Sequence, residues 1–124
     1  MKGVIVEAVE RFGDHRGELI KCLPRGVEGE VYAVTTWPGE SRADHYHRVT
    51  GEWFLTLAGE GVLLLEDIES GAVEEIALDG VRVFVPPGVA HRLENRGEGE
   101  WVVLALADHS YDPADTIPHE VATP

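Results

Sequence analysis

His45, His47 and Glu52 lie in GESRADHYHRVTGEWFLTLAG (Gly39 to Gly59), and His91 lies in GVRVFVPPGVAHRLEN (Gly80 to Asn95). These four side chains carry the clearest chemistry in the chain. In a β-strand residues i and i+2 project to one face, so His45 and His47 can reach a single ion together. Imidazole and carboxylate suit a borderline divalent metal. Zinc is the first expectation, and nickel, manganese or iron fit the same donors. Three histidines and one glutamate leave coordination positions for a substrate, as catalytic sites do and sealed structural sites do not. Taken singly, each residue reads as an ordinary strand side chain that packs or hydrogen-bonds. Four of them in two turn-punctuated segments read as a site.

The elements that position them are strands. GVIVEAVE is short and β-branched, ELIKCL follows a GDHRG turn, and EVYAVTTW reads as a strong strand ended by Pro38-Gly39. AVEEIALDG, VRVFVPPG, AHRLENRG and EWVVLALAD continue the pattern between turn residues. EWFLTLAG and EGVLLLEDIES share the Gly59–Gly61 turn and are expected to form a hairpin. No segment sustains a helical apolar period over three turns. Turn residues roughly every 8–12 positions suit a barrel or sandwich, and two ligand-bearing segments about one hairpin apart suit a double-sheet jelly roll. Residues 1–110 are expected to form one barrel domain. The polar, proline-punctuated residues 111–124 read as a tail that crosses onto the barrel or onto a partner subunit.

A chain of 124 residues makes one domain the default. Ten Lys and Arg against 23 Asp and Glu give a formal net charge of −13, which argues against nucleic acid or an anionic membrane as partner. No apolar run approaches a membrane span, and acids interrupt the N-terminal MKGVIVEAVE where a secretion signal would be continuously apolar. The single cysteine, Cys22, cannot form an internal disulfide, so the cytoplasm is the expected location.

Both metal segments resemble the cupin motifs at every defined position. The first fits G-x5-H-x-H-x4-E-x6-G through Gly39, His45, His47, Glu52 and Gly59. The second fits G-x5-P-x-G-x2-H-x3-N through Gly80, Pro86, Gly88, His91 and Asn95. The resemblance implies an all-β, double-stranded β-helix (jelly-roll, cupin) barrel. Three further segments narrow it. RFGDHRGELIKC resembles the F-x-D-x-R-G element of nucleotide-sugar 3,5-epimerases and related ketoisomerases through Phe12, Asp14, Arg16 and Gly17. SRADHYH resembles their R-G-x-H-Y element through Arg42, His45 and Tyr46, with Ala43 in place of glycine. ADHSYDPADTIPHEV is similar to the closing segment of a cupin domain attached to a UDP-amino-sugar reductase of capsule biosynthesis, through Ala107, Tyr111, Asp112-Pro113 and Asp115-Thr116.

The resemblance implies a metal-binding enzyme that epimerises or isomerises a nucleotide-linked keto sugar. Such chemistry removes a proton next to a ketone, so it needs a stabilised oxyanion, a base and an acid. His45 is ambiguous, since its counterpart in metal-free epimerases is the base. With His47, Glu52 and His91 all present, ligation is the favoured reading. Tyr32, on the preceding strand, and Tyr111, in the tail, are then candidate catalytic groups. Tyr46 and Arg92 alternate away from the ligands. Arg16 and Arg42 are candidates for binding a substrate diphosphate, because a planar guanidinium pairs bidentately with phosphate. Two other classes stay open: a metal-dependent cupin oxygenase or other small-molecule enzyme, and a non-catalytic sugar- or metabolite-binding cupin. Single-domain cupins resemble one another in pairing through edge strands, and a homodimer is expected here.

Overall fold

The computed structural model describes residues 1–124 and places twelve strands in chain order: β1 (Ile5–Ala8), β2 (Glu10–Asp14), β3 (Gly17–Lys21), β4 (Val31–Thr36), β5 (Ser41–His47), β6 (Glu52–Ala58), β7 (Val62–Asp67), β8 (Val73–Ala77), β9 (Val81–Val85), β10 (Val89–Glu94), β11 (Trp101–Ala107) and β12 (Thr116–Pro118). A single 3-10 turn, Pro113–Asp115, precedes β12. No helix is long and apolar enough to cross a membrane.

Two five-stranded sheets face each other, in the orders β1-β9-β6-β11-β4 and β12-β5-β10-β7-β8, and β2 with β3 forms a separate hairpin. All the pairings are antiparallel. This is the jelly-roll barrel of the cupins. Alternation along the strands builds its core. Phe54 on β6, Leu63 and Leu65 on β7, Val83 and Val85 on β9, Leu93 on β10 and Trp101, Val103 and Ala105 on β11 meet between the sheets. Burying each large apolar side chain contributes roughly 1.5–3 kcal/mol. Trp101 also donates through its indole N–H to Thr56 Oγ1 at 2.9 Å, so its polar atom is satisfied inside the core.

The expected hairpin of β6 and β7 does not form. β6 pairs with β9 and β11 in one sheet, and β7 pairs with β10 and β8 in the other. The Gly59–Gly61 segment is therefore a crossing between sheets. Its glycines serve close approach to β11. A Cβ on Gly59, whose φ is +81°, would stand 2.2 Å from the Glu100 carbonyl oxygen, and one on Gly61 would stand 2.3 Å from the Trp101 ring. Strands β6 and β7 each find two partners elsewhere, which a simple hairpin cannot offer.

The tail folds back onto the second sheet. Thr116, Ile117 and Pro118 stand opposite His47, Tyr46 and His45 on β5, and Val121 packs against Leu64 and Ala90.

Candidate metal centre

β5 and β10 lie side by side with His45 opposite His91, while Glu52 opens β6 across the barrel. His45, His47, Glu52 and His91 consequently converge, with one donor atom from each lying within 4.8 Å of every other. Ring centroids are 4.8 Å apart for His45–His47 and for His45–His91. His91 rests against Phe54 at 5.3 Å, which gives the site an apolar floor.

The tautomers follow from the partners. His47 Nδ1 is 3.0 Å from the Asp115 carbonyl oxygen, and His91 Nδ1 is 3.2 Å from that of Val89. A carbonyl only accepts, so each Nδ1 donates its N–H and each neutral ring presents a bare Nε2. Both Nε2 atoms are buried without a hydrogen-bond partner. Oε1 of Glu52 stands 2.7 Å from the first and 3.9 Å from the second. Buried acceptors turned on one another need a cation between them. Two imidazole lone pairs and the Oε1 of Glu52 fit a divalent ion, with outer carbonyls orienting the rings as metal-bound histidines require.

The electrostatics agree. Burial and the His47 ring hold His45 below its ordinary value. Burial drives His91 down to about 4. Burial also opposes charge on His47, but the Glu52 carboxylate and the Asp115 carbonyl outweigh it and raise His47. Burial likewise opposes charge on Glu52, and His47, His91 and the Tyr32 hydroxyl together hold it below the usual carboxylate range. The two low histidines are ready donors at neutral pH, and a proton on His47 is the natural competitor of a metal.

Tyr32 joins the cluster directly. Alternation on β4 turns it inward, and its hydroxyl donates to Glu52 Oε2 at 2.6 Å. Glu52 thus divides its oxygens, one toward the histidines and one toward the tyrosine. Burial first, and then the Glu52 charge, push the Tyr32 phenol well above its usual value, so it stays protonated.

Arg42 reaches the same face by an irregular route. Opposite His91 and Arg92 the β5 register slips, leaving Asp44 as an extra residue, with Ala43 and Asp44 at φ +76° and +56°. Simple alternation puts Arg42 with Tyr46, away from the ligands. The bulge instead sets Arg42 opposite the buried Leu93, and directly paired residues share a face. Its Nε donates to the Thr35 carbonyl across the barrel at 2.8 Å, leaving its terminal nitrogens free of protein partners. Two residues of β10 separate it from the His45 position, about 7 Å along the strand.

The other expected residues fall elsewhere. Arg16 sits at the tip of the β2–β3 hairpin, clasped bidentately to Asp14 and outside the cluster. Tyr111 precedes the 3-10 turn, is 68% exposed and makes no hydrogen bond to the four donors. Tyr46 packs outside with Leu64, Ala90 and Val121, and Arg92 pairs with Asp44. Asp115 was not singled out by chemistry or spacing as a site residue. The one signal that includes it is the Asp115-Thr116 match of the tail to the capsule-biosynthesis cupin domain, which carries no site role.

Residues 12–117 match the family described as the polysaccharide biosynthesis C-terminal domain. A UDP-2-acetamido-2,6-beta-L-arabino-hexul-4-ose reductase of Pseudomonas aeruginosa is 31% identical over 107 residues, covering 84% of this chain and 29% of the reductase. A glucose-6-phosphate isomerase of Pyrococcus horikoshii is 32% identical over 119 residues, covering 86% of this chain and 62% of that protein. The chain thus spans less than two thirds of either relative. Among solved structures, a dTDP sugar isomerase from Desulfovibrio desulfuricans superposes with a TM-score of 0.87 at 18% identity, over 98% of this chain and 85% of that one, and shares the fold. With the family match running from the β2–β3 hairpin through the tail strand, the chain belongs to the polysaccharide biosynthesis C-terminal domain family of cupins.

Proposed function

We propose that the chain is a metal-dependent epimerase or isomerase of a nucleotide-linked keto sugar, acting in the cytoplasm as a homodimer. The observation that carries this reading is the convergence of His45, His47, Glu52 and His91 with the Tyr32 hydroxyl 2.6 Å from Glu52. His45, His47, Glu52 and His91 would hold a divalent ion, and such an ion would supply Lewis-acid polarisation of a ketone. Around it the protein's own groups supply an acid and the substrate contacts. Tyr32, kept protonated, is the proton donor, and Glu52 orients its hydroxyl. Arg42 offers its free guanidinium edge to a diphosphate about 7 Å along the strand from the ligands, a spacing that suits a sugar between them. Thr35, Trp37 and Ser41 border the shallow cavity beside Arg42, where a nucleoside has room. Arg16 and Tyr111, both exposed, are proposed to act only at the rim of the bound substrate.

Support also comes from the relatives, whose names describe keto-sugar and sugar-phosphate chemistry. A second reading, isomerisation of a sugar phosphate lacking the nucleotide, is favoured specifically by the 32% identity to a glucose-6-phosphate isomerase. Both reactions exchange a carbon-bound proton with solvent. The test is deuterium wash-in from D2O, offered a 4-keto sugar nucleotide in one arm and glucose 6-phosphate in the other. Exchange at C3 or C5 of the sugar nucleotide supports the first reading, and exchange confined to the second arm transfers the proposal to sugar phosphates. Binding without exchange in either arm supports a non-catalytic sugar-binding cupin. Oxygen consumption on loading with iron supports an oxygenase.

A further inference from the structure

Residues 48–50 form the turn that separates two of the proposed ligands, His47 and Glu52. Three successive N–H groups there point away from any strand partner. All three end on one side chain from the tail. The Asp115 carboxylate accepts from Arg48 N at 2.8 Å, Val49 N at 2.9 Å and Thr50 N at 3.0 Å, and from Thr50 Oγ1 at 2.7 Å. The carboxylate is buried, with 8% of the residue exposed. The same residue's carbonyl oxygen faces His47 Nδ1 at 3.0 Å. The register of β12 explains how one residue makes both contacts, since Thr116 stands opposite His47 and delivers Asp115 to the end of β5.

We propose that Asp115 is a positioning residue of the metal centre, locking the His47 tautomer through its carbonyl and the spacing of His47 and Glu52 through its carboxylate. The inference rests on the metal reading above and adds a device to it. An imidazole without a fixed acceptor exchanges its proton between its two nitrogens and turns about its ring bond. An acceptor-only carbonyl removes that freedom and leaves Nε2 bare toward the site. A turn whose N–H groups are all bound to one carboxylate holds the donor atoms on either side of it at a set separation. The tail, remote in sequence from both ligands, thereby becomes part of the site.

The experiment compares wild type, Asp115→Ala and Thr50→Val. Histidine nitrogen shifts are read by NMR in metal-free protein at alkaline pH, and cobalt(II) affinity is read by chelator competition with the visible absorption band of the bound ion. Wild type shows His47 as the Nδ1–H tautomer. Asp115→Ala keeps the carbonyl but cuts the four carboxylate contacts that hold the residue against the 48–50 turn. The carbonyl is then no longer fixed on His47, and the variant shows a tautomer mixture, an altered cobalt band and an affinity lower by roughly 10- to 100-fold. Thr50→Val, which removes one of the four hydrogen bonds, loses roughly two- to tenfold. Should Asp115→Ala fold and keep both the tautomer and the affinity, the proposal is overturned. Should Asp115→Ala not fold, an unchanged affinity in Thr50→Val overturns it instead. A wild type that binds no cobalt defeats the metal reading, and the tautomer comparison then decides the Asp115 lock by itself.

Discussion

At the scale of single residues the account turns on how Glu52 and its neighbours share protons. Tyr32 donates to one oxygen of Glu52 while the other faces two histidines. Replacing Tyr32 by Phe deletes a proton donor and leaves the four ligand atoms in place. We expect Tyr32→Phe to retain its metal and to lose about 10²- to 10⁴-fold in kcat, measured as product formation beside metal content in the same preparation. Metal affinity has its own pH signature. His45 and His91 sit below the ordinary histidine value of 6.5 and compete little for protons at neutrality. His47 is raised above 6.5, so a proton occupies it over the range where a metal must displace it. As pH falls through the raised value of His47, apparent metal affinity should weaken by about tenfold per unit, and above that value it should level off. Chelator competition across the pH range checks the slope. All four proposed ligands were legible in the sequence, because strand alternation and the punctuation of two segments are local properties. Asp115 was not, since its partners lie 65 to 68 positions away in the chain and no spacing rule connects them.

Secondary-structure elements were legible from their β-branched runs and turn residues, but their partners were less so. The hairpin expected of β6 and β7 failed because both strands are buried on two faces and find two partners each in opposite sheets. Length and apolar content fit either outcome, and only the assembled barrel chooses between them. The bulge in β5 escaped for a related reason. Counting by twos assigns Arg42 to the outer face, and one extra residue at Asp44 reverses the count. A clue was present in Ala43, which occupies a position where the resembling epimerases carry glycine. Its φ of +76° is the left-handed conformation that glycine adopts freely and alanine does not. Ala43→Gly should therefore stabilise the protein by about 0.5–1 kcal/mol, the relief of strain exceeding the added entropy of the unfolded chain. Thermal or urea unfolding of the variant beside wild type measures this. A destabilised variant would show that the bulge is held for another reason.

For the whole molecule, the distribution of exposed apolar surface is informative. Ile5 and Val6 on β1, Phe12 and Leu19 on the β2–β3 hairpin and Val31 on β4 are each 44–56% exposed in a chain of net charge −13. Phe12 and Leu19 stand opposite each other on one face of a two-stranded ribbon, and such a ribbon has little stability unless it is covered. A second copy of the chain is the proposed cover. Sedimentation should report a dimer, and Phe12→Glu with Leu19→Glu should shift it to monomer. The proposed chemistry remains that of a cupin whose barrel gathers three histidines and a glutamate from three strands in two sheets. Its most direct test is the metal content of the protein purified without chelator or added metal, read as ions per chain by elemental analysis. The account predicts about one divalent ion per wild-type chain and its loss in a folded His91→Ala variant. A wild type that carries no divalent ion and still exchanges deuterium into a keto sugar would contradict it, and would give His45 the role of base instead of ligand.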